Sequence, residues 1–245
     1  SFREENYNDP EAKDRRLSEF TLVESEKPYE RLSPENALTL IISTEESVIK
    51  SAVKHTLEHF ENDIELLGGR VDYLESVITK PFNRITYDEG LGILNSSGGN
   101  YKFGDDLGVS EERKLLAHFD NIPLFVSHYP AKIKFFNMKK MADGRRVYSV
   151  DLLTPRLGET SGGAVREEDG EKIKAYLLQS KIADYIKERH GNPLLPFQEY
   201  FNLFEQEKAT LRGGFGIGFE RLIGFLLNSN DILETIAYRS MQPDN

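Results

Sequence analysis

Four glycines, Gly213, Gly214, Gly216 and Gly218, crowd the stretch RGGFGIGFER just ahead of Glu220 and Arg221. Phe215, Ile217 and Phe219 fall between them at strand period, so one strand face is bare and a flat ligand can lie directly on the backbone. The same bareness suits a tight sheet crossing or a bulge; the permanent cation of Arg221 at the strand's end favours a ligand. A phosphate loop of the Walker kind is excluded, because no Lys-Ser or Lys-Thr closes the glycines. A second group is SFREEN with DRRLSEFTLVESE, where Arg3, Arg15 and Arg16 offer planar forks able to grip phosphate oxygens. By itself it also reads as a solvated charged hairpin. The third is DLLTPRLGETSGGAVREED, in which Asp151 and Glu159 flank a turn and Gly162 and Gly163 lead into Arg166. Two hard carboxylates suit a divalent cation shared with phosphates, and equally suit capping or a charged surface.

These groups need positioning elements. Residues 1–6 and 19–30 read as two strands around a polar connector that Asn8-Asp9-Pro10 opens. Ser33-Pro34-Glu35 is a helix start, and Ile49, Ala52, Val53, Leu57 and Phe60 recur at helical spacing until Gly68-Gly69. A loop-rich region follows. Apolar runs at 123–128, 133–138 and 147–153 read as antiparallel strands, the last two joined through the hairpin signal Asp143-Gly144. A helix is expected from about Asp169 to His190, stopped by Gly191-Asn192-Pro193, and a shorter one from Pro196 to about Lys208, ahead of the glycine strand. The order implies an α+β fold, an antiparallel β-sheet flanked by helices. HTLEH at 55–59 has the order of an inverted zinc-peptidase motif; without a third ligand downstream it reads as a polar helix face. His118, His128 and His190 read as structural or surface residues.

Length and composition set outer bounds. The chain has 245 residues, is 38% hydrophobic and carries a net charge of −10, enough for one large globular domain. The negative field repels polyanions, so any nucleic-acid contact needs a local basic patch. No apolar run reaches the roughly 20 residues of a membrane span. Zero cysteines exclude disulfides and thiolate metal sites and suit a cytoplasmic location. SFREENY reads as the middle of something, and an N-terminal region is expected to be absent from it.

Taken together, these segments resemble the class II aminoacyl-tRNA synthetases, specifically the asparaginyl/aspartyl subgroup. FREE is similar to the start of that family's second motif, RRLSEF to its R-H-L-x-E-F, and GGFGIGFER to its third motif. PLFVSHYPAKIKFFNMK and VYSVDLLTPRLGETSGGAVREE resemble the asparaginyl branch. The likeness spans essentially the whole chain. It implies that residues 1–245 are the catalytic domain without the first motif, the substrate loop ahead of the second, and the anticodon-binding barrel. It implies ATP and magnesium, with asparagine and tRNA(Asn) as partners, and a homodimer.

The resemblance also implies roles. Arg3 would bind the α-phosphate and stabilise charge there; Phe20 and Arg221 would sandwich the adenine above the glycine strand, with Gly218 in its floor. Arg15 and Arg16 would reach the terminal phosphates and Glu5 the adenine end. Asp151 and Glu159 would hold magnesium, and Arg166 and Gly163 would bind the amino acid, Arg166 at the polar end of its side chain. Glu24 stands where the aspartyl branch has Asp. A longer carboxylate accepts from a carboxamide and repels a carboxylate, which favours asparagine. The chain departs from the pattern at Arg16 and Arg212, both usually His, at Asn137, usually Tyr, at Ala164-Val165, usually Ser-Gln, and at Tyr238, usually Pro. The alternatives are an aspartyl-tRNA synthetase, a relative making asparagine from aspartyl-adenylate and ammonia, and a silent nucleotide-binding paralogue.

Overall fold

The structure, a computed structural model, describes residues 1, 16–206 and 210–237. Six strands make one sheet: β1 (Leu22–Pro28), β2 (Asn83–Thr86), β3 (Leu124–Ser127), β4 (Ser149–Thr154), β5 (Gly158–Arg166) and β6 (Arg212–Gly218). Their order is β1-β6-β5-β4-β3-β2. Every pairing is antiparallel except β2 with β3, which is parallel. The expected antiparallel sheet is therefore mixed at one edge, where a helical crossover brings β3 back beside β2.

Helix α1 (Pro34–Leu66) covers one face of this sheet. The Ser33 hydroxyl caps it by accepting from the Asn36 amide at 3.2 Å, and Pro34 sits in the first turn, as the sequence indicates. Ala37, Leu38, Ile41, Ile49 and Val53 are fully buried against Val150, Leu152, Val165, Phe215 and Ile217. Each such aliphatic side chain removed from water contributes about 1.5–3 kcal/mol, so this layer fixes which sheet face is left open. His55 and His59 lie exposed on the outer side of α1 with stacked rings 4.3 Å apart. No group of three or more metal-ligating side chains occurs among the described residues.

The region expected to be loop-rich is instead structured: α2 (Val71–Thr79), β2, α3 (Tyr87–Ser96) and α4 (Val109–His118). Short elements leave weak periodicity, yet Thr86 and Glu89 form a capping box that was legible as T-x-x-E. Residues 133–138 are not a strand. They continue from a short 3₁₀ turn, Ala131–Ile133, and their backbone pairs with the sheet in an isolated bridge, Met138 with Arg166. Phe136 leaves the sheet to join a satellite core with Ile173, Leu177 and Phe201. The helix expected over 169–190 breaks into α5 (Gly170–Leu178) and α6 (Lys181–His190), because Ser180 caps a new helix through the Ala183 amide. The shorter helix is α7 (Gln198–Gln206), and α8 (Phe219–Leu226) leaves the glycine strand directly. The strand expected over 1–6 lies outside the described residues apart from Ser1, which exchanges backbone hydrogen bonds with Phe20 at 2.9 and 3.1 Å.

One α1 side chain breaks the apolar rule. Glu45 is fully buried, and neither carboxyl oxygen has a well-formed hydrogen bond among the described residues. Burial pushes its pKa up to about 8; the neighbouring Ser161 hydroxyl opposes the rise and the Asp151 charge adds to it. Between the usual carboxyl range and about 8 the unfolded chain holds fewer protons than the folded one, so stability falls as pH rises across that window. Glu45→Gln is expected to remove this slope, about 1.4 kcal/mol per pH unit, and to raise stability at pH 8. Urea unfolding at several pH values checks it; an unchanged slope would place the carboxyl in water.

Candidate functional site

The face opposite α1 is floored by cross-strand rows, since paired residues in neighbouring strands share a face. One row reads Glu24, Gly216, Gly162, Asp151 across β1, β6, β5 and β4. Two carboxylates thus stand at either end of two positions with no side chain. A Cβ placed on Gly216 would meet only the Glu24 side chain, at 3.5 Å, which is ordinary contact. The other glycines do different work. A Cβ on Gly214 would fall 1.8 Å from the Ser25 carbonyl oxygen, and one on Gly213 would fall 2.8 Å from Ile41. Gly213 and Gly214 are bare so that strands and helix can close up; Gly216 is bare and leaves room.

At the Gly218 end of the floor, Phe20 and Arg221 line a single hollow of about 250 Å³. Gly162, Gly216 and Gly218 lie beneath it, and Arg16 and Glu159 also reach its wall. Arg221 is oriented by a hydrogen bond from its guanidinium to the Glu159 carbonyl. Its neighbour Glu220 accepts the Thr21 amide at 3.0 and 3.1 Å, tying the start of α8 to the chain entering β1. The Glu220–Arg221 pair therefore divides its labour between fastening the strand and facing the hollow.

Asp151 is buried at the β4 side of the floor and is paired with the Lys134 ammonium. Burial pushes the Asp151 carboxyl up to about 6; Lys134 opposes the rise and Glu159 adds to it. Lys134 stays charged, its pKa raised by Asp151 and Glu159 against the burial cost, and its ammonium sits 4.0 Å from the centre of the Tyr129 ring. Glu159 reaches the same place by an irregularity. The register slips between Leu152, opposite Ser161, and Leu153, opposite Glu159, which leaves Thr160 as an extra residue in β5. A Cβ on Gly162 would lie 3.4 Å from the Glu159 Oε1 and 3.6 Å from the Asp151 Oδ1. Two hard oxygens converging on one point fit a divalent cation that takes its remaining ligands from water and phosphate.

The opposite end of the floor is charged. Arg166 donates to Glu26 from Nε at 3.3 Å and from Nη2 at 3.2 Å. Six residue steps along β6 lead from Arg212 to Gly218, a span of about 20 Å, so nucleotide-sized and amino-acid-sized ligands can lie end to end. Of the residues singled out in the sequence, Arg16, Phe20, Glu159, Gly218 and Arg221 share the hollow. Asp151 and Glu24 flank the floor, and Arg166 closes it. Gly163 is not among them: its missing Cβ faces Phe215 and Val150 on the α1 side. Arg3, Glu5, Arg15 and Tyr238 lie outside the described residues. Lys134, Tyr129 and Glu26 were not singled out, because no spacing announces them; Lys134 and Asp151 are 17 positions apart and are brought together only by the sheet.

A family model described as tRNA synthetases class II (D, K and N) matches residues 1–242. The chain is 33% identical, over 97% of its length, to the asparagine–tRNA ligase of Oleidesulfovibrio alaskensis, covering 49% of that protein. It is 35% identical to that of Pyrococcus furiosus over 94% of its length, covering 48% of the relative. The chain spans about half the length of the curated relatives it matches. Among solved structures it is similar to the asparaginyl-tRNA synthetase of Pyrococcus horikoshii complexed with asparaginyl-adenylate, at 34% identity and a TM-score of 0.78, covering 91% of this chain and 48% of that one. The aspartyl-tRNA synthetase of Entamoeba histolytica, 22% identical with a TM-score of 0.75 over 96% of this chain and 45% of that one, shares the fold.

Proposed function

The chain belongs to the class II tRNA synthetases of the D, K and N group, and on that footing we propose that it is the catalytic core of an asparagine–tRNA ligase. The observation that carries the reading is the hollow shared by Phe20 and Arg221 over a floor without side chains. An adenine ring between an aromatic face and a guanidinium gains stacking and cation–π attraction on both sides. With adenine at the Gly218 end, the phosphates run toward Gly162 and the amino acid toward Arg166.

Adenylation needs positioning more than proton transfer. An oxygen of the substrate α-carboxylate attacks the α-phosphorus, the bond to the bridging oxygen breaks, and pyrophosphate leaves. In the second step a terminal ribose hydroxyl of tRNA(Asn) attacks the carbonyl carbon and AMP departs. Held ends and fixed cations supply the rate: Arg221 and Phe20 fix the base, Arg16 faces the phosphate side, and Arg166 holds the side-chain end. Arg3 at the α-phosphate, Arg15 at the terminal phosphates and Glu5 at the adenine belong to the same scheme. Glu24 accepts a carboxamide N–H and repels a carboxylate, which favours asparagine. Asp151 and Glu159 would hold magnesium, which neutralises phosphate charge.

The test is asparagine-dependent exchange of labelled pyrophosphate into ATP. Exchange stimulated by asparagine supports the reading, and its absence with asparagine, aspartate and lysine alike would overturn it. A pH limb is expected too. Asp151 takes up its proton near pH 6, so exchange should fall as pH drops through about 6, and extra magnesium should move the midpoint lower because cation and proton compete for one carboxylate. A midpoint indifferent to magnesium would separate Asp151 from the cation.

A further inference from the structure

Arg212 enters the site without a role in the scheme above. The β5–β6 register sets it directly beside Arg166, and both guanidiniums address Glu26: Arg166 at 3.2 Å and Arg212 Nε at 3.8 Å. Arg212 is also held from behind. Its Nη2 donates to the Tyr200 hydroxyl at 3.3 Å, and its guanidinium carbon lies 5.2 Å from the centre of the Phe204 ring, both on α7. It is no free surface arginine, since its side chain is about three-quarters buried.

Charge balance at this end of the floor is the consequence. At the Arg166 end of the face opposite α1, alternation and register bring together four charged side chains, Glu24, Glu26, Arg166 and Arg212, while Glu159 of β5 stands nearer the other end, beside Asp151. Two are negative and two positive. Without Arg212 the group would carry an excess negative charge, and Arg166 alone would oppose the repulsion of a substrate carboxylate by Glu24 and Glu26. With it the group is neutral, and a carboxylate arriving beside Arg166 meets a second fork one strand away. At the partial burial found here, unit charges several ångströms apart interact far more strongly than in water.

Resting on the ligase reading, we propose that Arg212 is a specificity-determining residue and that it admits aspartate as a second substrate for adenylation beside asparagine. The step is the same: an α-carboxylate oxygen of aspartate bonds to the α-phosphorus as the bond to pyrophosphate breaks. Glu24 keeps asparagine ahead, and Arg212 narrows the gap.

Pyrophosphate exchange is measured with each amino acid in turn on the wild-type chain, Arg212→Gln and Arg212→Lys. Wild type is expected to use aspartate with kcat/KM within about a hundredfold of asparagine. Arg212→Gln should widen the asparagine preference about tenfold at low salt, whereas Arg212→Lys, which keeps the charge but not the fork, should leave it within about threefold. High salt should shrink the difference between wild type and Arg212→Gln. A preference that Arg212→Gln leaves unchanged, or an equal loss for both amino acids, would overturn the proposal, the second outcome marking Arg212 as packing alone. Exchange with neither amino acid would defeat the ligase reading instead. Calorimetric titration of aspartate onto the chain with a non-hydrolysable ATP analogue then decides separately: binding that weakens in Arg212→Gln sustains the role, and no aspartate binding ends it.

Discussion

Arg221→Ala should lower asparagine-dependent pyrophosphate exchange by about 10²–10³-fold, as loss of a single preorganised charged contact does elsewhere, while the fold survives. Two losses coincide. The hollow loses one of its two walls, so the adenine stacks on Phe20 alone, and the nucleotide is no longer held at the angle that in-line attack requires. The structural cost is small, because Arg221 is only partly buried; among its contacts is the hydrogen bond to the Glu159 carbonyl. Losing it costs about 1 kcal/mol, or a melting shift of roughly 2–4 °C in a domain of this size. Arg221→Lys separates charge from shape: a point charge keeps the attraction for phosphate but offers no plane to the ring, so it should recover little. Exchange and melting are measured together, and undiminished exchange in Arg221→Ala refutes the site.

Gly216→Val carries the second large effect, and Gly214→Ala is its contrast. A Cβ on Gly216 meets only the Glu24 side chain at 3.5 and 3.6 Å, and valine is well suited to a strand. Melting should therefore stay within a few degrees of wild type. The two added methyls would stand where the ligand lies, and displacement of about 1 Å is enough to cost about 10²-fold in rate; exchange should drop by at least that factor. Gly214→Ala reverses the pattern. Its Cβ would sit 1.8 Å from the Ser25 carbonyl oxygen and 2.8 Å from the Glu26 Cα, so β1 must move off β6. Overpacking of this kind costs roughly 1–3 kcal/mol or more, and melting should fall by about 2–12 °C. If both variants melted alike and kept activity, the glycines would be sheet packing and nothing else.

Much of the site was legible in the residues. RGGFGIGFER announced its own strand and its own bare face, since alternation is a local property that Phe215 and Ile217 reveal by being apolar. The charge of Arg221, the cap at Ser33 and the stop at Gly68, where φ is +94°, are local for the same reason. Other features were misread for a physical cause. IKFFNM looks like a strand, but its aromatics divide: Phe136 goes to the satellite core with α5 and α7, while Phe135 remains 44% exposed. Hydrophobic pattern shows that a side chain wants burial, not which core will take it. Gly162 and Gly163 read as equivalent neighbours, yet one opens the floor and the other closes the core.

By itself the amino-acid sequence determined the family, the glycine strand, the long helix and the residue types available for chemistry, because each depends on local spacing or a fixed chemical group. Only the tertiary structure decided which groups meet. Strand alternation places Glu159 and Gly162, three residues apart, on opposite faces, and the extra residue at Thr160 returns them to one side beside Asp151. Lys134 reaches Asp151, and Arg212 comes beside Arg166, through pairings between distant segments. Register is set by how whole strands dock onto α1 and onto one another, a balance of non-local contacts that no short stretch of residues contains.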